Sequence, residues 1–349
     1  MRLIRHSEPT GPPPPLPREL RRLLQQTSRS FYLTLGVLPR SVRPIIGLAY
    51  LLARTTDTLA DSGRIPMPQR LEALSRLRER ILGRRVERCD FSDLADALPD
   101  GTPTAERQLL LQIEEAVGCL VRQAPDDREE IRRVLDIITG GQELDLKRFG
   151  DRPGEIGCLN SEAELDDYTY RVAGCVGEFW TRVTRRRCFP AAVMDDRLFL
   201  EDGIRLGRGL QLVNILRDLP RDLRNGRCYL PASDLQAAGL TPGDLLDPAA
   251  GAALRPIHEA WCVRALGHLE AGWRYTNTLP RSRYRLRLAC AWPVLLGIRT
   301  LRRLRAGPIL DPEQRIKVPR PEVRAVLLGS LWKLPFPKAW KAQWEDGVR

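Results

Sequence analysis

The stretch LLARTTDTLADS, residues 51 to 62, is an apolar run that acquires Arg54, Asp57 and Asp61 near its end. On a helix, side chains three and four residues apart share a face, so the two carboxylates stand one above the other with about 6 Å of rise between them. Like charges at that spacing destabilise a helix by about 0.2–0.5 kcal/mol, so helix stability does not explain the pair. Either it is a solvated helix end, or it holds something cationic. A second set lies in GRGLQLVNILRDLPRDLRNGRCYLP, residues 207 to 231, where Gln211, Asn214, Asp218 and Asp222 fall at spacings of three, four and four. Leu210, Leu212, Val213, Ile215 and Leu216 occupy the rest of that helix, so the polar stripe lies on an otherwise buried element. Buried carboxylates are costly without partners, and a cation satisfies several at once.

Carboxylates and an amide oxygen, with no clustered His or Cys, form a hard-oxygen set suited to Mg²⁺. Mg²⁺ takes one or two carboxylates and completes its shell with water and substrate phosphates. The two acid sets, facing one another across a cavity, would each bind metal bridged to a diphosphate. Arg54, Arg217, Arg221, Arg224 and Arg227 would supply phosphate contacts. Arg217 and Arg221 lie off the Asp218 face, which leaves surface charge as the other reading for them.

The elements that position these residues are expected to be helices. From Glu19 onward apolar residues recur at helical spacing, and no alternating strand segment or Asn-Gly hairpin signal is found. Helices are predicted near residues 18–36, 42–61, 67–84, 104–122, 127–148, 163–186, 196–219, 247–278 and 282–305, with shorter ones later. Pro39 and Pro44, SGRIPMP, LPDGTPT, GDRPGEIG and LTPGDLLDP mark breaks between them. The fold class is therefore all-α, a single-domain helical bundle. Helices beyond about 20 residues, roughly 30 Å, are long enough to wall a deep central cavity. Residues 1–17 form a Pro-rich extension, 18–331 the helical domain and 332–349 a tail rich in Trp and Lys.

Composition narrows the partners. The 56 Lys+Arg against 44 Asp+Glu give a formal charge of +12, which suits phosphorylated metabolites, nucleic acid or an anionic membrane. The basic residues are spread along the chain with few aromatics beside them, which argues against nucleic acid. The eight cysteines show no C-x-x-C and no paired spacing, so they read as small buried residues of a reducing cytoplasm rather than a zinc site or disulfide framework. His6, His258 and His268 form no nucleophile motif with a serine and read as structural or exposed. No run reaches the roughly 18 uncharged apolar residues of a spanning helix, so any membrane contact is expected to be peripheral, at the inner face. In the tail, Trp332, Phe336, Trp340 and Trp344 are interleaved with Lys333, Lys338 and Lys341. That pattern suits a membrane interface or tryptophans packed back onto the domain, and Pro335 and Pro337 prevent one continuous amphipathic helix.

In order along the chain, TSRSFYLTLGVLP, GLAYLLARTTDTLAD, LDDYTYRVAGCVGEFW and LQLVNILRDLPRDLRNGRCYLP resemble the motifs of the squalene/phytoene synthase family of head-to-head isoprenyl diphosphate synthases. The resemblance runs from about Thr27 to Pro321 and implies the isoprenoid-synthase type of helical bundle. It assigns Asp57, Asp61, Asn214, Asp218 and Asp222 as Mg²⁺ ligands. It places Ser28, Arg29, Ser30, Arg54, Gln211, Asn214, Arg217 and Arg227 at the substrate diphosphates. Tyr168 and Tyr170 would line the reaction cavity and take part in catalysis with the acid residues. Phe31, Ala173, Gly174 and Gly177 would wall the cavity, and GGQELDLKRF would bring Gln142 and Asp145 near it. From the residues alone, the small side chains serve close packing of a helix or of a ligand equally well, and each tyrosine reads equally as a buried phenol with one hydrogen bond.

The family resemblance implies condensation of two farnesyl diphosphates through presqualene diphosphate to squalene, with NADPH as reductant. Phytoene, dehydrosqualene and hydroxysqualene synthases are the alternatives within it, and a non-catalytic assembly factor is the alternative outside enzyme function. The DT of DTLAD resembles the squalene form of the first motif. RIKVPRPEV resembles the segment near the nicotinamide cofactor, giving Lys317 and Arg320 a phosphate-binding role, with a solvated basic loop as the plain alternative. Pro319 departs from the basic residue expected there. Arg171 stands where the eukaryotic relatives carry a tyrosine. No G-x-G-x-x-G or P-loop occurs, so a Rossmann mode of NADPH binding is excluded.

Overall fold

A computed structural model describes residues 11–28, 31–99, 101–150, 154–314 and 316–348. The chain divides into two compact units, Met1–Gly150 with Phe179–Val193, and Asp151–Glu178 with Met194–Arg349. The first is built from α1 (Arg18–Thr27), α2 (Phe31–Val37), α3 (Arg43–Ala60), α4 (Met67–Leu82), α5 (Ser92–Asp96), α6 (Thr104–Leu111), α7 (Ile113–Val121) and α8 (Pro125–Phe149). Pro44 and Pro125 sit in the first turns of α3 and α8, where a missing N–H costs nothing. The helix expected over 104–122 breaks at Gln112, which lets Leu109, Leu110, Ile113, Val117 and Leu120 all be buried. At its centre, α3 packs against α4, α7 and α8 and buries Leu48, Leu51, Leu52 and Leu59 completely. Burial of that kind stabilises by about 1.5–3 kcal/mol per leucine.

Charge also fixes this unit from inside. Asp127, in the first turn of α8, is buried and accepts from Arg186 at 2.5 Å and from Nε of Arg187 at 2.9 and 3.0 Å. Arg185 donates to the carbonyls of Pro190 and Ala192 at 2.8 and 2.9 Å, satisfying the chain that follows the helix. These three arginines anchor the returning segment 179–193 to the unit it belongs to.

The second unit contains β1 (Gly157–Leu159), α9 (Glu162–Thr169), a π-helical turn (Tyr170–Gly174), the start of α10 (Cys175–Cys188), α11 (Asp196–Arg224), β2 (Arg227–Pro231), α12 (Ala232–Ala237), α13 (Gly251–Thr278), α14 (Tyr284–Ala306), α15 (Arg320–Lys333) and α16 (Pro337–Val348). Helices α11, α13 and α14 pack together, and α15 and α16 lie on α14. Asp195 caps α11 by accepting from the N–H groups of Arg197 and Leu198, both at 3.0 Å. The all-α expectation holds, with one small departure. β1 and β2 pair in parallel with Gly157 opposite Arg227 and Cys158 opposite Cys228, strands too short for alternation to show in sequence. Among the described residues the cysteines form no disulfide, and all but Cys158 are buried.

The helix expected over 163–186 is not uniform, because its YRVAG segment widens into the π turn. Around that turn the small residues meet α11 at backbone distance. A Cβ on Gly177 would lie 2.0 Å from the carbonyl oxygen of Gly203, and one on Gly207 would lie 2.2 Å from that of Ala173. The close approach at Ala173 and Gly177 is therefore helix against helix. Gly174 packs under Tyr170 and Arg208.

In the tail, Trp340 is buried and donates from Nε1 to Asn277 Oδ1 at 2.9 Å, while Trp273 stacks on both Trp340 and Trp344. These two tryptophans pack back onto their unit, whereas Trp332 is 78% exposed. No helix among the described residues is long and apolar enough to cross a membrane.

Candidate active site

In the first unit the C-terminal end of α3 carries Arg54, Asp57 and Asp61. The N–H of Asp61 donates to the carbonyl of Asp57 at 2.9 Å, so Asp61 is the C-cap and its side chain follows Asp57 by one turn. Two other helices complete the setting. Gln142 of α8 donates from Nε2 to Asp57 Oδ1 at 2.5 Å, and Glu106 of α6 accepts from Arg54 at 2.5 Å. Arg54 also stands 3.8 Å from Asp57. The structure thus brings together Arg54, Asp57, Asp61 and Gln142. It adds Glu106, whose partner lies too far along the chain for any periodic pattern to mark it. Asp145 follows Gln142 by three residues on α8 and is half-buried.

The electrostatics of this end favour a cation. Burial pushes the Asp57 carboxyl up to about 6, and the neighbouring Asp61 and Glu106 add to the rise, while Arg54 and Gln142 pull it down. With 44% of the Asp57 side chain open to solvent, that burial is partial, and the like-charged neighbours act in the same direction. The last turn of α3 contains no basic residue, and the negative end of a helix dipole disfavours carboxylates. A divalent ion would offset the repulsion between these carboxylates and the unfavourable helix dipole together.

Ser28 is buried at the C-cap of α1 and donates to the carbonyl of Leu24 at 2.5 Å. Phe31 stacks on Tyr50 at 5.2 Å, and the Tyr50 hydroxyl donates to the carbonyl of Thr27 at 2.8 Å. Tyr50, one turn before Arg54, is a tie between α1 and α3 that sequence reading missed. Arg29 and Ser30 lie outside the described residues.

In the second unit the stripe of α11 has the expected character. Gln211, Asn214, Asp218 and Asp222 are half-exposed, while Leu212, Val213, Ile215, Leu216, Leu219 and Leu223 are buried. Asn214 Nδ2 approaches Gln211 Oε1 at 3.5 Å. Arg217 grips its neighbour Asp218 with two parallel bonds of 3.0 and 2.5 Å, so it is a carboxylate partner in this state. Arg221 and Arg224 are exposed; Arg227, half-exposed, begins β2.

Beside this stripe Tyr168 stacks on Tyr229 at 4.6 Å, a packing contact. The Tyr170 hydroxyl donates to Glu178 Oε2 at 2.9 Å, and the Arg208 guanidinium lies 5.6 Å from the centre of its ring. Arg171 pairs with Asp167 at 2.8 Å. Glu178, Arg208 and Tyr229 had no sequence signal of their own, although Arg208 precedes Gln211 by three residues on the same face. Lys317 and Arg320 are both exposed.

Among the described residues no group of three His, Cys, Asp or Glu side chains stands close enough to hold a metal alone. Two carboxylates at each helix end still fit Mg²⁺, which takes one or two and fills its remaining positions with water and phosphate oxygens. The donor chemistry therefore suits a metal that arrives with a diphosphate.

The profile of the squalene/phytoene synthase family matches residues 24–322. The presqualene diphosphate synthase of Rhodopseudomonas palustris is 32% identical over 72% of this chain and 76% of its own length. That of Zymomonas mobilis is 32% identical over 88% of each chain. The fold is similar to that of TcSQS in a ligand complex, with a TM-score of 0.72 at 20% identity, covering 95% of this chain and 98% of that one. From the motifs around Asp57 and Asp218 and from a match spanning most of its length, the chain belongs to the squalene/phytoene synthase family.

Proposed function

We propose that this protein is a Mg²⁺-dependent prenyltransferase that joins two farnesyl diphosphates head to head and forms presqualene diphosphate. The carrying observation is the pair of acidic helix ends, Asp57 with Asp61 and Asp218 with Asp222, each flanked by arginine. The relatives named presqualene diphosphate synthase support the cyclopropyl diphosphate as product.

Mg²⁺, held by Asp57 and Asp61 and by Asn214, Asp218 and Asp222, would neutralise diphosphate charge and ease its departure. Arg54, kept in place by Glu106, offers its remaining N–H groups to phosphate oxygens. Loss of one diphosphate leaves an allylic cation, the second substrate's double bond attacks it, and loss of one proton closes the three-membered ring. The apolar residues around Leu51 and Leu52 keep α3 rigid behind the charged end. Tyr170 suits the proton step: its oxygen can accept a proton while passing its own to Glu178.

The expectation that the reaction continues to squalene with NADPH is kept as a second reading. Exposed Lys317 and Arg320 and the Thr58 that follows Asp57 favour it. Incubation with farnesyl diphosphate and Mg²⁺, with and without NADPH, separates the two by product mass. Presqualene diphosphate accumulating in both arms supports the first reading, and NADPH-dependent squalene supports the second. Consumption of geranylgeranyl diphosphate with farnesyl diphosphate untouched would overturn both.

Asp57→Asn and Asp218→Asn are each expected to lower Mg²⁺-dependent turnover at least about a hundredfold while circular dichroism and the melting temperature stay close to wild type. Full activity in both variants would sink the metal assignment and leave a binding-only assembly role as the better account.

A further inference from the structure

The C-terminal end of α13, the start of α14 and the turn between α15 and α16 enclose a cleft of about 540 Å³, lined among others by Asn277, Arg281, Tyr284, Arg287, Trp340 and Lys341. Arg287 is only 8% exposed. One of its terminal nitrogens donates to Asn277 Oδ1 at 3.0 Å, and its guanidinium lies 5.2 Å from the ring centre of Trp340. Its Nε is buried and has no hydrogen-bond partner. The like-charged Arg281 stands nearby, and among the described residues no carboxylate pairs with Arg281, Arg287 or Lys341. A buried cation without a counter-ion is costly, so Arg287, with exposed Arg281 and Lys341 beside it, describes a site for an anion.

The rim of the cleft points to the source of that anion. Leu334, Pro335 and Pro337 form its lip, and between them Phe336 is 63% exposed. On α15, Leu328, Leu331 and Trp332 share a helical face and are 59%, 46% and 78% exposed. Lys338 adds another exposed cation beside them. Exposed apolar and aromatic residues on α15 and in the turn that lines a cationic cleft complement a bilayer whose surface carries phosphate.

The place is remote from the acidic stripe of the same unit. Arg274 pairs with Asp202 at 2.6 Å, which puts this end of α13 beside the beginning of α11. Asn214 lies twelve residues further along α11, about 18 Å away.

We propose that this cleft binds the phosphate of an anionic phospholipid headgroup while Leu331, Trp332 and Phe336 enter the bilayer surface. The test is flotation of the full chain with vesicles of phosphatidylcholine alone or of phosphatidylcholine containing one-third phosphatidylglycerol. Wild type is expected to float with the mixed vesicles and to remain behind with neutral ones. Arg281 and Lys341 are exposed, so Arg281→Gln with Lys341→Gln leaves packing intact and should weaken partitioning about fivefold for each charge removed. Arg287→Gln should weaken it at least as much. The control pair Arg21→Gln with Arg40→Gln, on the first unit, should change it less than twofold.

Trp332→Ser with Phe336→Ser should abolish flotation even with the cleft charges present. Equal loss in the control pair would mean attraction by general charge and overturn the site, as would unchanged flotation of the Arg281 and Lys341 variant. Binding of inorganic phosphate by calorimetry, without flotation on either vesicle, would assign the cleft to a free anion and overturn the lipid proposal.

Discussion

Tyr170 donates to Glu178, and burial together with that carboxylate pushes its phenol up to about 12. At neutral pH it is therefore an uncharged hydroxyl whose proton already points at an acceptor. Such a group takes a proton well only if it releases its own, so the pair acts as a relay and the phenol alone does not. Tyr170→Phe removes the hydroxyl and keeps the ring that lies against Arg208. The expected result is a fall in kcat of about 10²-fold with KM for farnesyl diphosphate within a factor of two, measured by steady-state kinetics. Glu178→Gln should lower kcat by a similar factor, because the amide accepts a hydrogen bond and no proton. Unchanged kcat in both would assign the proton to another acceptor, such as the departing diphosphate.

At the scale of elements, Asp127 shows what holds a returning segment in place. Its carboxylate sits between Arg186 and Arg187 with all three side chains nearly inaccessible to water. Removing one partner from a buried cluster leaves the others charged and unsolvated, which costs about 3–5 kcal/mol. Asp127→Ala should show that loss in urea denaturation, whereas Glu201→Gln, which breaks the exposed pair with Arg197, should cost less than about 1 kcal/mol. Equal small effects would mean that packing alone holds the segment.

Such elements also show what a sequence can reveal. The ends of α3 and α11 were readable because polar residues broke an apolar run at helical spacing. Gln142 came only through family resemblance, and Glu106 not at all, since contacts 85 and 52 residues apart leave no local trace. The helix expected near 196–219 ends just before Pro220, yet α11 runs through that proline to Arg224 and keeps Asp222 on the stripe. A proline inside a helix loses one hydrogen bond, and buried Leu219 and Leu223 on either side of it offset that loss. Ala173 and Gly177 could have served a ligand or a helix crossing. Only the backbone distances to Gly203 and Gly207 decide for the crossing.

For the whole molecule, the response of folding to pH is set in part by two histidines of α13, His258 buried and His268 half-buried. His258 is completely buried on α13, with Nδ1 3.6 Å from Cys262 Sγ. Burial, followed by the charge of Arg255, pushes its pKa down to about 4. Burial, followed by Arg205 and Arg208, does the same to His268. In the unfolded chain a histidine takes up its proton near 6.5, while these two resist until about pH 4. Between those values the unfolded state binds more protons, so stability falls as pH drops through the window. The sign is opposite to that of a histidine paired with a carboxylate, whose raised pKa would stabilise the fold on the acid side. Each histidine should contribute a loss of about 1.4 kcal/mol per pH unit below 6.5, levelling off near pH 4. Urea denaturation at intervals from pH 7.5 to 4.5 measures the slope, and His258→Asn should remove about half of the part due to the two histidines, whatever its effect on stability at pH 7.5. An unchanged slope in that variant would place the acid sensitivity in the carboxylates.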